Sequence, residues 1–187
     1  MLKISSIIFI AAFLLSCNSN DVKKNDTPAG DTTKVNKPDT SLTNNLGYFK
    51  IEGDSLVIPA FEIKVSLSPK AEEKLKARKE TIIVAAYFSG QPKDTTIAEF
   101  QESGAMSVAV SHTEIRNDSI VAKIEGAKFA RSLYDSLADK DIQVLINVYS
   151  GRRSGPDNLL ACDILDEKMS AAQGKQFTIK GKLIIEH

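Results

Sequence analysis

The segment 150–158, SGRRSGPDN, carries the residue types best suited to hold a small ligand. It offers two arginines, Arg152 and Arg153, close to Asp157 and Asn158. Arginine binds carboxylate or phosphate through paired hydrogen bonds. Because strongly apolar segments flank it, its ends should be held rigidly, and loops on rigid scaffolds often carry binding residues. We therefore predict a possible ligand-binding site at these four residues; the alternative is a solvated hairpin loop.

A second candidate pair is His112 and Glu114 in SHTEIR. Two residues apart on a strand, they would point to the same face, with Arg116 beside them. Such a pair can contribute to a metal site, but zinc takes three or four protein ligands. The other histidine is His187, the last residue. The pattern therefore favours a solvated strand face over a metal site.

Two further groups of chemically active residues are weaker candidates. Asp135, Asp139 and Asp141 lie close together in YDSLADKDIQ, but a calcium loop needs six or more oxygens and the EF-hand spacing is missing. We expect Asp139 and Asp141 to mark the turn before a strand, with a weak calcium site as the alternative. Cys162 lies between apolar neighbours in LLACDIL and is predicted to be buried and unreactive, since a reactive thiol needs exposure and nearby positive charge.

The sequence has no recognisable catalytic motif. It lacks G-x-S-x-G, a cysteine with a usable histidine and a paired-carboxylate pattern. We therefore predict a non-enzyme with no catalytic residues, no metal and no cofactor. The chain has 24 basic and 24 acidic residues and no basic stripe, so no nucleic-acid partner is expected. The absence of tryptophan weakens a sugar-binding interpretation, although four tyrosines could supply stacking surfaces.

The elements that must position these residues are mostly strands. Apolar residues alternate with polar ones in FEIKVSLS, DIQVLINVYSG and FTIKGKLII, which is typical of half-buried strands. TIIVAAYFSG is apolar on both faces and indicates a central strand. Further strands are predicted in four segments: YFKIEGDSLVI, MSVAVSHTEIR, SIVAKIEG and LLACDIL.

Two or three short helices are expected between the strands. The clearest is SPKAEEKLKARK, in which Ser68 can cap, Pro69 suits the first helical position, and Ala71 and Leu75 share a face. ARSLYDSLA and DEKMSAAQG are shorter candidates. Seven or eight strands with short helical connections predict a mainly β fold, a single β-sandwich over residues 48–187. The pattern is similar to immunoglobulin-like and transthyretin-like sandwiches.

The N-terminus has the features of an export signal. Lys3 precedes the apolar segment 4–15, which is shorter than the roughly 20 residues that a membrane-spanning helix needs. Leu14, Leu15, Ser16 and Cys17 follow, and this LLSC resembles the lipobox of bacterial lipoproteins. The resemblance implies that residues 1–16 are a signal peptide and that Cys17 is the lipidation site. Acyl chains on Cys17 would anchor the protein without a membrane-spanning helix.

The segment 17–47 is predicted to be the lipidated cysteine and a flexible tether. Residues 18–47 contain six Asn, seven Ser or Thr and no aromatic residue, so they cannot bury enough surface to offset the entropy of ordering. A flexible chain of this length spans about 30 Å on average. We expect a bacterial cell-envelope protein, anchored to membrane lipid through Cys17 and facing the periplasm.

Two functions from different classes are compatible with this organisation. The first is a non-catalytic binding or assembly module that recognises a protein or a cell-wall partner. The anchor, the tether and the missing catalytic motifs favour it, since a tethered domain searches its surroundings at high local concentration. The alternative is a periplasmic carrier of a small ligand or metal, which would use Arg152 and Arg153 or the His112–Glu114 pair.

Overall fold

The structure is a computed structural model and describes residues 45–116 and 119–186. These residues belong to one compact unit with twelve strands and four helices. The strands are β1 (Asn45–Leu46), β2 (Phe49–Glu52), β3 (Ser55–Val57), β4 (Phe61–Leu67), β5 (Ile82–Gly90), β6 (Met106–Ile115), β7 (Val121–Ile124), β8 (Lys128–Ala130), β9 (Gln143–Ser150), β10 (Leu160–Cys162), β11 (Leu165–Lys168) and β12 (Gln176–Leu183). The helices are α1 (Pro69–Arg78), α2 (Ala98–Ser103), α3 (Arg131–Ser136) and α4 (Met169–Ala172).

The strands form three four-stranded sheets. Sheet I has the order β10-β12-β4-β7, sheet II the order β11-β9-β5-β6, and sheet III the order β1-β2-β3-β8. Strands β12 and β4 are parallel, and the other described pairings are antiparallel. Strand β5 pairs with both β6 and β9, which confirms that TIIVAAYFSG forms a central strand.

All three sheets contribute to one hydrophobic cluster. The rings of Phe61 on β4 and Phe88 on β5 meet edge to face with centroids 6.5 Å apart, so sheets I and II pack against each other. In sheet III the Phe49 ring lies 5.3 Å from Phe129 of β8 and 5.4 Å from Tyr134 of α3, and all three residues belong to the same cluster. Each inward face is buried because its apolar residues recur with period two.

The predicted helices are present in all three places. The Ser68 hydroxyl accepts a hydrogen bond from the Ala71 amide at 3.2 Å and caps α1, which begins at Pro69 and buries Ala71 and Leu75 as predicted. Helix α4 lies in DEKMSAAQG. Helix α3 lies in ARSLYDSLA and buries Tyr134, and Phe129 just before it belongs to β8. Helix α2 was not predicted. It buries no side chain, so its sequence carries no apolar period from which a helix could be predicted.

The mainly β class is confirmed, but the strand arrangement differs from the predicted seven or eight strands. YFKIEGDSLVI, predicted as one strand, forms a hairpin of β2 and β3 that belongs to sheet III. LLACDIL is split, because the chain leaves sheet I after Cys162 and enters sheet II at Leu165. These short strands raise the count to twelve among the described residues.

The folded unit begins inside the segment that composition assigned to the tether. Asn45 and Leu46 form β1 and pair with Lys50 and Phe49. The signal peptide and Cys17 lie outside the described residues. Within residues 45–116 and 119–186, no helix has the length and apolarity needed to cross a bilayer.

Candidate functional site

The loop 151–158, called the arginine loop below, joins β9 of sheet II to β10 of sheet I. Asn158 fixes its far end. Its Oδ1 accepts hydrogen bonds from the amides of Ser150 at 2.9 Å and Leu160 at 3.1 Å, and its Nδ2 donates to the Leu160 carbonyl at 2.8 Å. Asn158 therefore uses its amide to hold the two strand ends together.

A buried carboxylate holds the middle of the arginine loop. Glu80, just before β5, is only 3% exposed. Its Oε1 accepts from the Arg153 amide at 2.8 Å and the Thr81 amide at 3.0 Å. Its Oε2 accepts from the Ser154 amide at 2.8 Å and the Ser154 hydroxyl at 2.6 Å. Burial acts to raise the pKa of Glu80, but these hydrogen bonds outweigh burial and hold it below its ordinary value.

Arg153 turns away from the loop tip and binds the sheet. Its Nε lies 2.9 Å from Oε1 of Glu114 and its Nη2 lies 2.6 Å from Oε2, a two-point contact. The Thr81 hydroxyl donates to the same Oε1 at 2.7 Å. Arg153 and then Thr81 lower the pKa of Glu114 to about 2. The ion pair is exposed and adds little stability, but it orients the loop.

Gly151 is required where the loop passes Thr81, the residue before β5. Its amide donates to the Thr81 carbonyl at 2.8 Å. A Cβ at this position would lie 1.9 Å from the Thr81 hydroxyl oxygen, far inside contact distance. Only glycine allows this approach without displacing Thr81 and its hydrogen bond to Glu114.

We predict that Gly151→Ala lowers the free energy of unfolding by about 1–3 kcal/mol, as overpacking usually does. Gly155→Ala is the matched control in the same loop, because nothing lies within 4 Å of its added Cβ. Urea denaturation of both variants measures the difference. Equal stability of the two variants would contradict the close packing of Gly151 on Thr81.

Arg152, unlike Arg153, lies at a groove on the outside of the fold. Its backbone is left-handed, with φ of 57°. The groove is open and has a volume of about 460 Å³. Its lining comes from β5, β9, β10 and the segments that follow β9 and β10: Tyr87, Asn147, Val148, Tyr149, Arg152, Asn158, Leu160, Ala161, Cys162 and Ile164.

The groove continues onto the outer side of sheet II. Large side chains project there from three strands, and we call this surface the tyrosine face: Tyr87, Val110, His112, Leu145 and Tyr149. The rings of Tyr87 and His112 meet edge to face at 6.1 Å. Tyr87, Tyr149 and Arg152 all line the groove. Burial and then Tyr87 raise the pKa of Tyr149, while Arg152 lowers it.

The other predicted ligand-binding and reactive residues have separate places. Asp157 is exposed on the arginine loop and does not line the groove. Cys162 lines the groove but is half-buried, and a Cβ on Gly181 would lie 2.5 Å from its Sγ. Burial, followed by Asp163, raises the pKa of Cys162 to about 11, so the thiol is protonated at neutral pH.

His112 and Glu114 share the outer face of β6 as predicted, but they serve different neighbours. His112 contacts Tyr87, whereas both oxygens of Glu114 bind Arg153. Within residues 45–116 and 119–186, no group of three or more His, Cys, Asp or Glu residues is placed to hold a metal ion. His187 lies outside the described residues.

The three aspartates do not converge. Asp141 accepts from the Tyr48 hydroxyl at 2.9 Å and the Ser170 hydroxyl at 2.6 Å, which connects the turn between β1 and β2 to α4. Asp139 accepts from the Asp141 amide at 3.0 Å in the turn before β9, as predicted. Asp135 is exposed on α3.

The sequence did not indicate Glu80 and Thr81, which hold the arginine loop by hydrogen bonds. It also did not indicate Tyr87 and Tyr149 as a pair beside Arg152. The Glu80 contacts span 73 residues to Arg153 and 74 to Ser154, so no local pattern could reveal them. The tyrosines had a weak signal, since Tyr149 occupies a polar-face position of the alternating segment DIQVLINVYSG and Tyr87 lies in a segment that is apolar on both faces.

No protein-family model, curated protein or solved structure matches this chain. Its own contacts define a site that is suited to binding: a rigid loop presents one arginine beside two tyrosines, over an open groove at the side of an antiparallel sheet.

Proposed function

We propose that this protein is a lipid-anchored bacterial envelope protein and that its β domain is a non-catalytic binding or assembly module for a protein or cell-wall partner. The lipobox-like Leu14, Leu15, Ser16 and Cys17 support the anchor, and the proposal includes a domain that faces the periplasm. The tyrosine face is the single observation that carries the binding role.

The contrast between the outer faces of sheets I and II supports this assignment. The outer face of sheet I is polar, as expected for a surface in contact with water alone: Lys64, Ser66, Thr178, Lys180 and Lys182. The outer face of sheet II instead leaves Tyr87 37%, Val110 48% and Leu145 36% exposed. Contiguous exposed apolar surface and enrichment in tyrosine and arginine are features of interaction sites.

The state of the polar groups around the groove favours binding over catalysis. The carboxylates of Glu80 and Glu114 are engaged in hydrogen bonds within the chain. The amide of Asn158 is likewise engaged, and the Cys162 thiol is protonated at neutral pH. General acids, bases and nucleophiles need groups that are free to exchange protons with a substrate.

The arrangement of sheets I and II supports a β-sandwich as the scaffold of this module. Their inward faces share one hydrophobic cluster, with Phe61 against Phe88. Sheet III and the parallel β12–β4 pair are additions to an immunoglobulin-like or transthyretin-like pattern. The groove beside Arg152 also supports the alternative function, a small-ligand carrier.

A photocrosslinking amino acid at Tyr87 or Val110 tests the proposal in intact cells. We expect either position to trap a discrete partner, because both side chains are exposed on the tyrosine face. The same amino acid at Lys64 or Lys180, exposed on the outer face of sheet I, is the matched control and should trap much less. Equal yields from both faces, or no adduct from either, would contradict a binding role for the tyrosine face.

A further inference from the structure

The two neighbouring arginines of the arginine loop are in different chemical states. The guanidinium of Arg153 is bound at two points by Glu114. Arg152 makes no ion pair or side-chain hydrogen bond within the described parts of the chain. One arginine therefore secures the loop, and the other presents a free cation at the groove.

The backbone conformation of Arg152 also indicates a ligand site. Among the described residues, two non-glycine residues have positive φ, Lys79 at 52° and Arg152 at 57°. Lys79 ends α1, where the left-handed conformation is common and its amide reaches the Leu75 and Lys76 carbonyls. Arg152 ends no helix, and glycine would suit its conformation better. Strained residues of this kind cluster at ligand sites because the surrounding structure holds them in place.

Arg152 is the one charged residue among the described residues that line the groove, so an anion would bind there. Its neighbours along the groove supply neutral hydrogen-bonding groups, the Tyr149 and Tyr87 hydroxyls and the Asn147 amide. The planar guanidinium matches the two oxygens of a carboxylate. Exposed Ile164, 65% accessible, adds an apolar wall to the same groove. An open groove of about 460 Å³ admits the end of a longer molecule and does not need to enclose it.

We propose that this groove binds the carboxyl terminus of a peptide, with the carboxylate on Arg152 and the last side chains against Tyr87, Tyr149 and Ile164. The proposal rests on the proposed binding function and names the partner's chemistry. A protein C-terminus and a cell-wall peptide share this chemistry; they differ in the configuration of the last residue.

The test uses the full-length protein in detergent and a randomised library of N-acetylated hexapeptides. One half of the library has a free carboxyl terminus and the other half is amidated. Retained peptides are quantified by mass spectrometry. We expect the free acids to be enriched about tenfold over the amides, since charge-assisted hydrogen bonds to a carboxylate contribute at least that factor. A parallel library that ends in D-residues separates the cell-wall source from the protein source.

Arg152→Gly and Lys79→Gly form the matched pair of variants. Both relieve a left-handed backbone, so both should melt at the same temperature as the wild type or about 2–4 °C higher. Arg152→Gly and Arg152→Gln should each abolish the roughly tenfold enrichment, whereas Lys79→Gly should keep it. Retained enrichment in Arg152→Gly would overturn the proposal, because the arginine would then be a loop residue only.

The remaining outcomes separate this inference from the proposed function. If acids and amides are retained equally, the groove does not recognise a carboxylate and this inference fails, but the proposed binding function is not contradicted. If neither is retained while Tyr87 traps a partner in cells, the partner is not recognised through a peptide carboxyl terminus and only this inference fails. If neither is retained and Tyr87 traps nothing, both fail.

Discussion

Glu80→Ala is expected to lower the free energy of unfolding by about 3 kcal/mol, because hydrogen bonds to a buried charged group contribute 1.5–3 kcal/mol and their loss leaves donors unsatisfied. Four donors lose their acceptor: the amides of Thr81, Arg153 and Ser154 and the Ser154 hydroxyl. The new methyl group cannot fill the space that the carboxylate leaves. The arginine loop should therefore loosen even in molecules that remain folded.

Chemical denaturation measures the loss of stability, and amide hydrogen exchange at Arg153 and Ser154 measures the loosening. Glu73→Ala, at an exposed position on α1, is the matched control and should change stability little. Glu80→Gln should fall between the two, because its amide oxygen still accepts while its NH2 group faces donors. A Glu80→Ala protein as stable as the Glu73→Ala control would show that the four hydrogen bonds contribute nothing net.

The same substitution predicts a pH dependence with a definite sign. The folded-state pKa of Glu80 lies below its ordinary value of 4.5. The carboxylate therefore stabilises the native state above that ordinary value, and this stabilisation is lost as the pH falls through the lower folded-state pKa. The stability difference between wild type and Glu80→Ala should be largest near neutral pH and should narrow in acid. A difference that grows on acidification would contradict the direction of the shift.

Strands that carry their own pattern could be predicted from sequence. In β4, β9 and β12 the apolar residues alternate, and inward positions such as Ile63, Ile146 and Ile179 are buried. Strand β5 was identified as central because both of its faces are apolar, and it pairs on both sides. Helix α1 was predictable because its cap and first residue, Ser68 and Pro69, are adjacent in sequence.

Pairing partners could not be predicted in the same way. The parallel pair of β12 with β4 joins Gln176 to Glu62, and nothing in either segment specifies the other. Sheet III recruits β8, a strand of three residues that is too short to show a period. Helix α2 follows a turn in which Asp94 accepts from the Thr96 amide at 2.9 Å, and no buried face marks it.

The arginine loop shows the same limit at the level of the site. Its composition indicated Arg152 and Arg153 together, because both have the same chemistry. Glu114, 39 residues from Arg153, separates them by binding only one. Such a distinction depends on which side chain reaches a distant carboxylate, and that follows from the packing of β5 and β6 under the loop.

Cys17→Ala is expected to abolish fatty-acid labelling of the protein completely. In the proposed lipoprotein, Cys17 would supply the thiol that lipid modification requires at the end of the lipobox-like LLSC, and the substitution removes its sulfur atom. The signal should then remain uncleaved or be processed elsewhere. Cys162→Ala is the matched control, because its half-buried thiol lies in the folded unit, and it should label like the wild type.

Folding should be independent of this modification. A chain that begins at Thr43 retains every described strand from β1 onward and the whole hydrophobic cluster of the described residues. It should therefore be soluble, unfold cooperatively and give a strand-rich circular dichroism spectrum. Wild-type protein that takes up no labelled palmitate in a bacterial host would refute the lipid anchor. A Thr43 chain that fails to fold would show that the preceding residues belong to the domain, because the strands alone would then be insufficient.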